Sequence, residues 1–405
     1  MRIYLDHNAT TPLDPSVSNA ISATLRDDFG NPSSVHHFGQ RAKQLVDKAR
    51  SAVASLIKAE PPEIVFTSGG TESDNLAIRG AADAMKSTGR RHLITSAIEH
   101  EAVLNTIKAL DRQGYQTTLL PVDANGIVSV EDLTRIINDK TALVSVMHAN
   151  NEIGTIQPIT DLAEVAHKHG ALFHTDAIQS VGKVPISVKA LGADLLSLSA
   201  HKFNGPKGVG ALWLKRGVRL TTVQTGGRHE RNRRAGTENV PGLVGMGIAS
   251  ELAQQKLTES KQDFSTLRDL LEEGVLQEVP DAAINGQRNR RIPNTSNISF
   301  AGVEAESLLI ALDLEGVAVS TGSACSSGTL EPSHVLRAMG LPSNRVQSSI
   351  RFSLGTSNNR ADIERLISIL PALVGRLRAL SSGSSRMDKD RRPVESNSGS
   401  SRGNR

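Results

Sequence analysis

TALVSVM at 141–147, DLAEVAHKHG at 161–170 and ALFHT at 171–175 form the stretch whose reading decides the fold. A β-branched run, an amphipathic run ending in glycine and a second β-branched run follow one another. Strands that alternate with helices in this way read as a parallel sheet, because a crossover must carry the chain back before the next strand begins. The pattern extends outward. Upstream, EIVFT (63–67) precedes the helix-like ESDNLAIRGAADAMK, and HLIT (92–95) precedes a helix expected from about His100 to Arg112. Downstream, DLLSLS (194–199) and GVGALWL (208–214) supply further strands. The expected class is α/β, a mainly parallel sheet with helices on both faces.

A long helix expected from about Val240 to Gln262 leads to a second region. There NTSNISF (294–300), VAVS (317–320) and SSIRFSL (348–354) read as strands, and 304–313 and 359–379 as helices. That mixture suggests a smaller α+β domain. The last 25 residues, 381–405, are rich in Ser, Gly, Arg and Asp and are expected to be disordered.

The chain has 405 residues, 38% hydrophobic and 22% charged, which is ordinary for a soluble globular protein. No apolar run approaches the roughly 18 residues needed to span a membrane. MRIYLDHNATTP at the start has no hydrophobic signal region, and a single cysteine fits a reducing cytoplasm. Net charge is +4, but the tail from Ser381 to Arg405 holds six Lys/Arg against three Asp/Glu. The folded body is therefore near neutral. With aromatics at only 3%, nucleic acid is not an expected partner.

The lone cysteine, Cys325, sits in Ser320-Thr-Gly-Ser-Ala-Cys-Ser-Ser-Gly328. That is loop composition, so the thiol is either a reactive nucleophile or an incidental one. Other segments carry chemistry at strand ends, where ligands gather in open α/β sheets. In SLSAHK (197–202), Lys202 can form a Schiff base with an aldehyde cofactor, although lysines before turns are ordinarily just solvated. Lys207 is a neighbouring competitor inside the turn. In FTSGGTES (66–73), a Gly-Gly turn at a helix start suits a small phosphate, with a plain turn capped by Thr71 as the alternative. In FHTDAIQ (173–179), Asp176 can pair with a pyridinium nitrogen or cap the next helix, and Gln179 can offer an amide to the same ring. His100 in EHE can stack on a ring or move a proton, and Asn150 and Asn151 follow a strand. Arg351 alternates with apolar residues in SSIRFSLG, which suits either a substrate carboxylate or a structural ion pair. The histidines show no metal-ligand spacing, and no zinc is expected. Together these segments describe pyridoxal phosphate bound to an amino acid.

The chain resembles the cysteine desulfurases of the NifS/IscS type, within the class-V aminotransferases and the fold-type I pyridoxal-phosphate enzymes. The resemblance runs from Tyr4-Leu-Asp-His-Asn-Ala-Thr-Thr11 to about Leu380. It includes NPSS (31–34), TSGGTESDN, EHEAV, NNEIGTIQPI, HTDAIQSVGK, SLSAHKFNGPKG, RAGTENV, STGSACSSG, SHVLRAMG and SIRFSLG. It implies a seven-stranded sheet in a large domain over 14–257. A small domain from 1–13 plus 258–380 would carry the cysteine loop at 320–328.

The resemblance also implies roles. Lys202 matches the Schiff-base lysine, Asp176 the partner of the pyridine nitrogen, Gln179 the ring-oxygen contact and His100 the stacking residue. Gly70, Thr71, Ser199 and His201 match phosphate positions, and Thr237 one that reaches the phosphate from a second subunit of a homodimer. Asn151 and Arg351 match the substrate-carboxylate contacts, and Cys325 the sulfur acceptor. L-cysteine would yield L-alanine and a persulfide on Cys325, for delivery to a sulfur acceptor or iron–sulfur scaffold. A related lyase or transaminase, of selenocysteine-lyase or kynureninase type, is the alternative. Two positions depart from the family pattern: His229, where Gln is common, and His7, where Asn or Tyr is common.

Overall fold

The apolar runs at the centre of the chain become strands because both of their faces are covered. All five residues of Thr141–Ser145 and of Leu195–Ser199 are buried, as expected where helices close a parallel sheet on both sides. The computed structural model describes residues 2–259, 264–321 and 332–389, and from 381 to 389 the backbone alone. Cys325 lies outside the described residues.

In chain order the strands are β1 (Ile3–Tyr4), β2 (Ile64–Thr67), β3 (His92–Ser96), β4 (Gln116–Leu120), β5 (Thr141–Ser145) and β6 (Leu172–Asp176). They continue with β7 (Leu195–Ser199), β8 (Gly210–Leu214), β9 (Ala282–Ile284), β10 (Thr295–Phe300), β11 (Val317–Ala318) and β12 (Ser349–Ser353). Seven build one sheet in the order β2-β8-β7-β6-β5-β3-β4. β8 runs antiparallel to both of its neighbours, and the other pairs are parallel. The expected seven-stranded, mainly parallel sheet is what forms.

Alternate residues of each strand face opposite layers. Ile94, Val144, Phe173, Leu196 and Leu198 pack with Val46, Val53 and Met246. Leu93, Leu143, Leu195 and Leu212 pack on the other side with Leu76, Ile78 and Ile107. Fully buried side chains such as Phe173 and Leu198 each stabilise the layer by about 1.5–3 kcal/mol.

A separate core gathers around the sheet β12-β10-β9. It joins Ile298, Phe300, Ile350 and Phe352 to Leu308, Leu312, Leu366 and Leu370, and takes in Ile3 and Leu5 from the N-terminus. β1 pairs with β11 in parallel, which ties the first residues to the far end of the chain.

One expectation needs correction. The last helix runs Arg360–Lys389, so the first nine residues of the stretch expected to be disordered continue a helix. The helical residues that precede it, with buried Leu366, Leu370, Leu373 and Val374, anchor it on the small core. The long helix expected from about Val240 is described over Val240–Glu259, and Gln262 lies outside the described residues.

Candidate active site

β2 and the parallel strands β3, β5, β6 and β7 share one carboxyl edge, because β8 is antiparallel to both β2 and β7. The edge therefore collects Gly70 and Thr71 after β2, His100 after β3, Asn150 and Asn151 after β5, Asp176 and Gln179 at β6, and Ser199, His201 and Lys202 at β7. Helix Gly70–Lys86 begins at this edge, with Gly69 as its N-cap and no side chain bonded to the cap. Thr71 is thus inside the helix and does not cap it. A Cβ on Gly70 would stand 2.2 Å from Ile178 Cδ1 and 3.7 Å from Ser199 Cβ, so only glycine leaves this approach open. The first N–H groups of a helix attract an anion.

Lys202 closes a single 3₁₀ turn, Ala200–Lys202, beyond β7. Its Nζ donates to the backbone oxygens of Asn8 (2.6 Å) and Ala9 (2.8 Å). Asp176 is buried, and its Oδ1 accepts the Ile178 N–H at 2.9 Å. Burial pushes its carboxyl up to about 6, against the opposing pull of the Ile178 N–H and the Lys202 charge. His100 caps helix Glu101–Asp111, its Nδ1 accepting from Ala102 N at 3.1 Å. That bond leaves the ring proton on Nε2, and burial and Lys202 hold the imidazole below its ordinary value. His201 is pushed down to about 4 by burial and by Lys202, Lys207 and Lys183.

Arg351, on β12, enters the same region from the small core. It is buried, with Nη2 on Asp6 Oδ1 at 2.6 Å and Nη1 on the Asn151 backbone oxygen at 3.1 Å. Its Nε is buried with no hydrogen-bond partner among the described residues. The structural ion pair is therefore present, and one guanidinium donor remains beside it. The Arg351 backbone also bonds Ser320 twice, N to O at 2.6 Å and O from N at 3.2 Å. Ser320 is the first residue of the cysteine-bearing segment, so one strand residue fixes both the guanidinium and the root of that segment.

Thr237 is the exception. It is exposed, on the loop before helix Val240–Glu259, and takes no part in the buried cluster. That loop holds Glu230, Arg231 and Asn232 at left-handed φ of 46°, 57° and 64°. Such strain persists only where neighbours impose it. Here Glu230 makes a buried two-point bond to Arg50 (2.7 and 2.8 Å) and accepts Phe66 N, while Arg234 grips Glu72 beside Thr71. His229 serves the same loop by accepting Gly236 N at 3.3 Å. His7 is buried edge-on to Tyr4, and a Cβ on Gly355 would lie 2.0 Å from its Nδ1.

Sequence reasoning assigned no role to several buried polar residues of this edge. His174 lies under Asp176 on the same face of β6, between Ser145 Oγ (2.8 Å) and Ser197 Oγ (3.0 Å). Burial pushes it down to about 3, so it is neutral. Asp74 is fully buried 3.7 Å from His174 Nε2, and burial together with the Asp176 charge holds its carboxyl well above the usual range. Asn8 and Lys183 were also passed over. The signal was present, since both stand inside quoted motifs, but neither residue type announces a role.

The family model for class-V aminotransferases matches residues 3–366. The chain belongs to the class-V aminotransferase family. It is 48% identical over 379 residues to a protein named cysteine desulfurase IscS from Dictyoglomus turgidum, covering 94% of this chain and 96% of that one. Among solved structures, a NifS-like protein superposes with a TM-score of 0.87 at 37% identity, over 93% of this chain and 100% of the other. A structure described as SspA in complex with cysteine superposes with a TM-score of 0.77 at 35% identity, over 87% of this chain and 99% of that one. The fold is that of the fold-type I pyridoxal-phosphate enzymes, and pyridoxal 5′-phosphate is the family's cofactor. The residues at the carboxyl edge fit that group. A glycine approach and an uncapped helix start suit its phosphate, an amine its aldehyde, and a buried carboxylate its ring nitrogen.

Proposed function

We propose that this chain is a pyridoxal-phosphate-dependent cysteine desulfurase, which takes sulfur from L-cysteine and releases L-alanine. One observation carries the reading furthest. The arginine whose guanidinium meets Asn151 also pins Ser320, so the carboxylate-binding position and the root of the only cysteine's segment share a residue. The matched relatives carry the cysteine desulfurase name across 94% of this chain. The alternative lyase or transaminase reading is not favoured.

The bound cofactor supplies an electron sink for the charge left when the substrate α-proton departs. In our reading Gly70, Thr71, Ser199 and His201 hold its phosphate. Asp176 keeps a proton on the ring nitrogen, Gln179 donates to the ring oxygen and His100 stacks on the ring. Lys202 would hold the cofactor's aldehyde carbon and would move the substrate α-proton. Asn151 and Arg351 hold the substrate carboxylate, with the unpaired Arg351 Nε as one donor, so that the sulfur faces the cysteine segment. The Cys325 thiolate then attacks that sulfur. An S–S bond forms as the C–S bond breaks, the bonding pair stays on the substrate β-carbon, which takes up a proton and leaves as alanine, and a persulfide remains on Cys325. With no second thiol in the chain, the sulfur leaves to an acceptor protein, which we take to include an iron–sulfur scaffold, or to a small reductant.

The test is alanine release from L-cysteine with a thiol reductant present. Cys325→Ala is expected to lower it about a hundredfold, about 2.7 kcal/mol of barrier. An unchanged rate would assign the chemistry to a lyase that needs no protein thiol.

We also infer a homodimer with Thr237 reaching the phosphate of the second copy. Phe29 and Phe38 stack with centroids 5.2 Å apart yet are 74% and 52% exposed, and Leu25 and Val35, close by in sequence, are exposed as well. Apolar clusters of this kind mark interfaces. Phe29→Asp/Phe38→Asp is expected to sediment as a monomer and to bind cofactor more weakly. A wild-type monomer with full activity would refute the inference. The separate cores support reading 14–257 as the large domain and 1–13 plus 258–380 as the small one. Among the described residues, no helix is long and apolar enough to cross a membrane and no group of His, Cys, Asp or Glu is arranged for a metal ion. We place the protein in the cytoplasm on its single cysteine.

A further inference from the structure

Asn8 is a buried junction between segments far apart in sequence. Its Nδ2 donates to Thr295 Oγ1 (2.8 Å) and to the Asn151 backbone oxygen (3.1 Å). A backbone carbonyl can only accept, so that contact fixes which end of the Asn8 amide is nitrogen. Oδ1 therefore points the other way, where it accepts from Asn294 Nδ2 (3.2 Å) and Lys183 Nζ (3.0 Å).

Gln179 is fixed by the same logic. Its Nε2 donates to the Asn8 backbone oxygen at 2.9 Å, again a group that only accepts. Its Oε1 accordingly faces Lys183 Nζ, at 2.8 Å. Lys183 is four residues beyond Gln179 and lines a cavity of about 370 Å³ shared with His7, Lys202 and Asn294. The arrangement does not depend on its charge. Burial, with Lys202 and Arg351 nearby, holds the Lys183 ammonium well below its usual value, and a neutral amine still has the two hydrogens that these two oxygens need.

An amide nitrogen carries two hydrogens, and the bond to Asn8 uses one. We propose that Lys183 is a positioning residue: with Asn8 it locks the Gln179 amide so that the second Nε2 hydrogen faces the ring oxygen of the cofactor. The proposal rests on the reading of Gln179 given above. Without the lock the amide can turn over and present Oε1, an acceptor, to an oxygen that needs a donor.

The experiment uses the full-length chain reconstituted with pyridoxal phosphate. It reads the pH midpoint of the visible absorption band and the equilibrium affinity for the cofactor. A donor on the ring oxygen favours its anionic form, so losing the donor raises the midpoint. Lys183→Met and Gln179→Leu are each expected to raise it by about one pH unit, a tenfold change in proton affinity. Each should weaken cofactor binding by a similar factor. The double variant should shift no further than either single one, because both remove the same contact. Lys183→Gln keeps a donor and should stay near the wild-type midpoint, which a merely structural role would not predict. A wild-type midpoint in Lys183→Met beside a shifted Gln179→Leu overturns the proposal and leaves the Gln179 reading standing. Unshifted midpoints in both overturn the proposal together with the ring-oxygen assignment of Gln179, while the visible band itself still reports the cofactor. Thermal unfolding of each apoprotein verifies that the variants fold.

Discussion

Lys202→Ala is expected to lower alanine formation from L-cysteine by about 10⁴-fold or more. The residue is asked for two services, covalent attachment of the cofactor and transfer of the substrate α-proton. Positioned proton transfer alone is worth about 10²–10⁴-fold. Among the described residues no other amine takes its place. Lys207 is exposed in the turn that follows. Lys183 is close, but its amine is held by Gln179 and Asn8 at 2.8 and 3.0 Å. Lys202 differs from both in its place, since it ends the turn directly beyond β7 and bonds two backbone oxygens there. Reduction of the loaded protein with borohydride, followed by peptide mapping, should mark Lys202 in the wild type and no lysine in the variant. A mark on Lys183 or Lys207, or a variant that keeps more than about a hundredth of the activity, would sink the assignment.

What could be read from the sequence depended on whether one segment held the whole signal. β5, β6 and β7 are short buried runs whose residue types are dictated by cover on both faces, so they were legible. β4 (QTTLL) went unread because it is an edge strand with exposed positions, Leu119 among them, and its pattern resembles a loop. Likewise, Lys202, Asp176 and Gly70 stand at strand ends, where chemistry restricts the residue type. The Asn8 junction gathers positions 8, 151, 179, 183, 294 and 295, and no local stretch of chain contains that pattern. Asp74 is similar. Its carboxyl is unusual because of what the fold packs around it, while in TESDN it reads as one more polar residue of a helix. The tail misled for a different reason. Composition argues against a packed core, but a helix already anchored at Leu366 and Leu370 can extend into polar sequence.

Asp176→Asn is expected to move activity and apoprotein stability in opposite directions. The side chain is buried, and its carboxyl is pushed from 3.8 up to about 6 by burial, which outweighs the Ile178 N–H and the Lys202 charge. The native state therefore binds more protons than the unfolded chain between about pH 4 and 6, and stability falls as pH rises through that window. Above about pH 6 the full cost is present, about 3 kcal/mol for a displacement of this size. Asparagine removes the charge and keeps an oxygen for the Ile178 N–H. The apoprotein should then gain up to about 3 kcal/mol at pH 7.5 and nothing at pH 4. Asp74 should follow in the same sense, because the Asp176 charge is one of the causes that hold its carboxyl up. Catalysis should fall by about 10³-fold, about 4 kcal/mol of barrier, because an amide cannot keep the ring nitrogen protonated. Urea titrations of the apoprotein at the two pH values, beside alanine release from the loaded enzyme, separate the two effects. A carboxylate retained only to cap Ile178 would leave activity untouched, and that result would remove Asp176 from the site. A pH-independent stability difference would instead mean that the buried charge is relieved by some contact other than the bound ring.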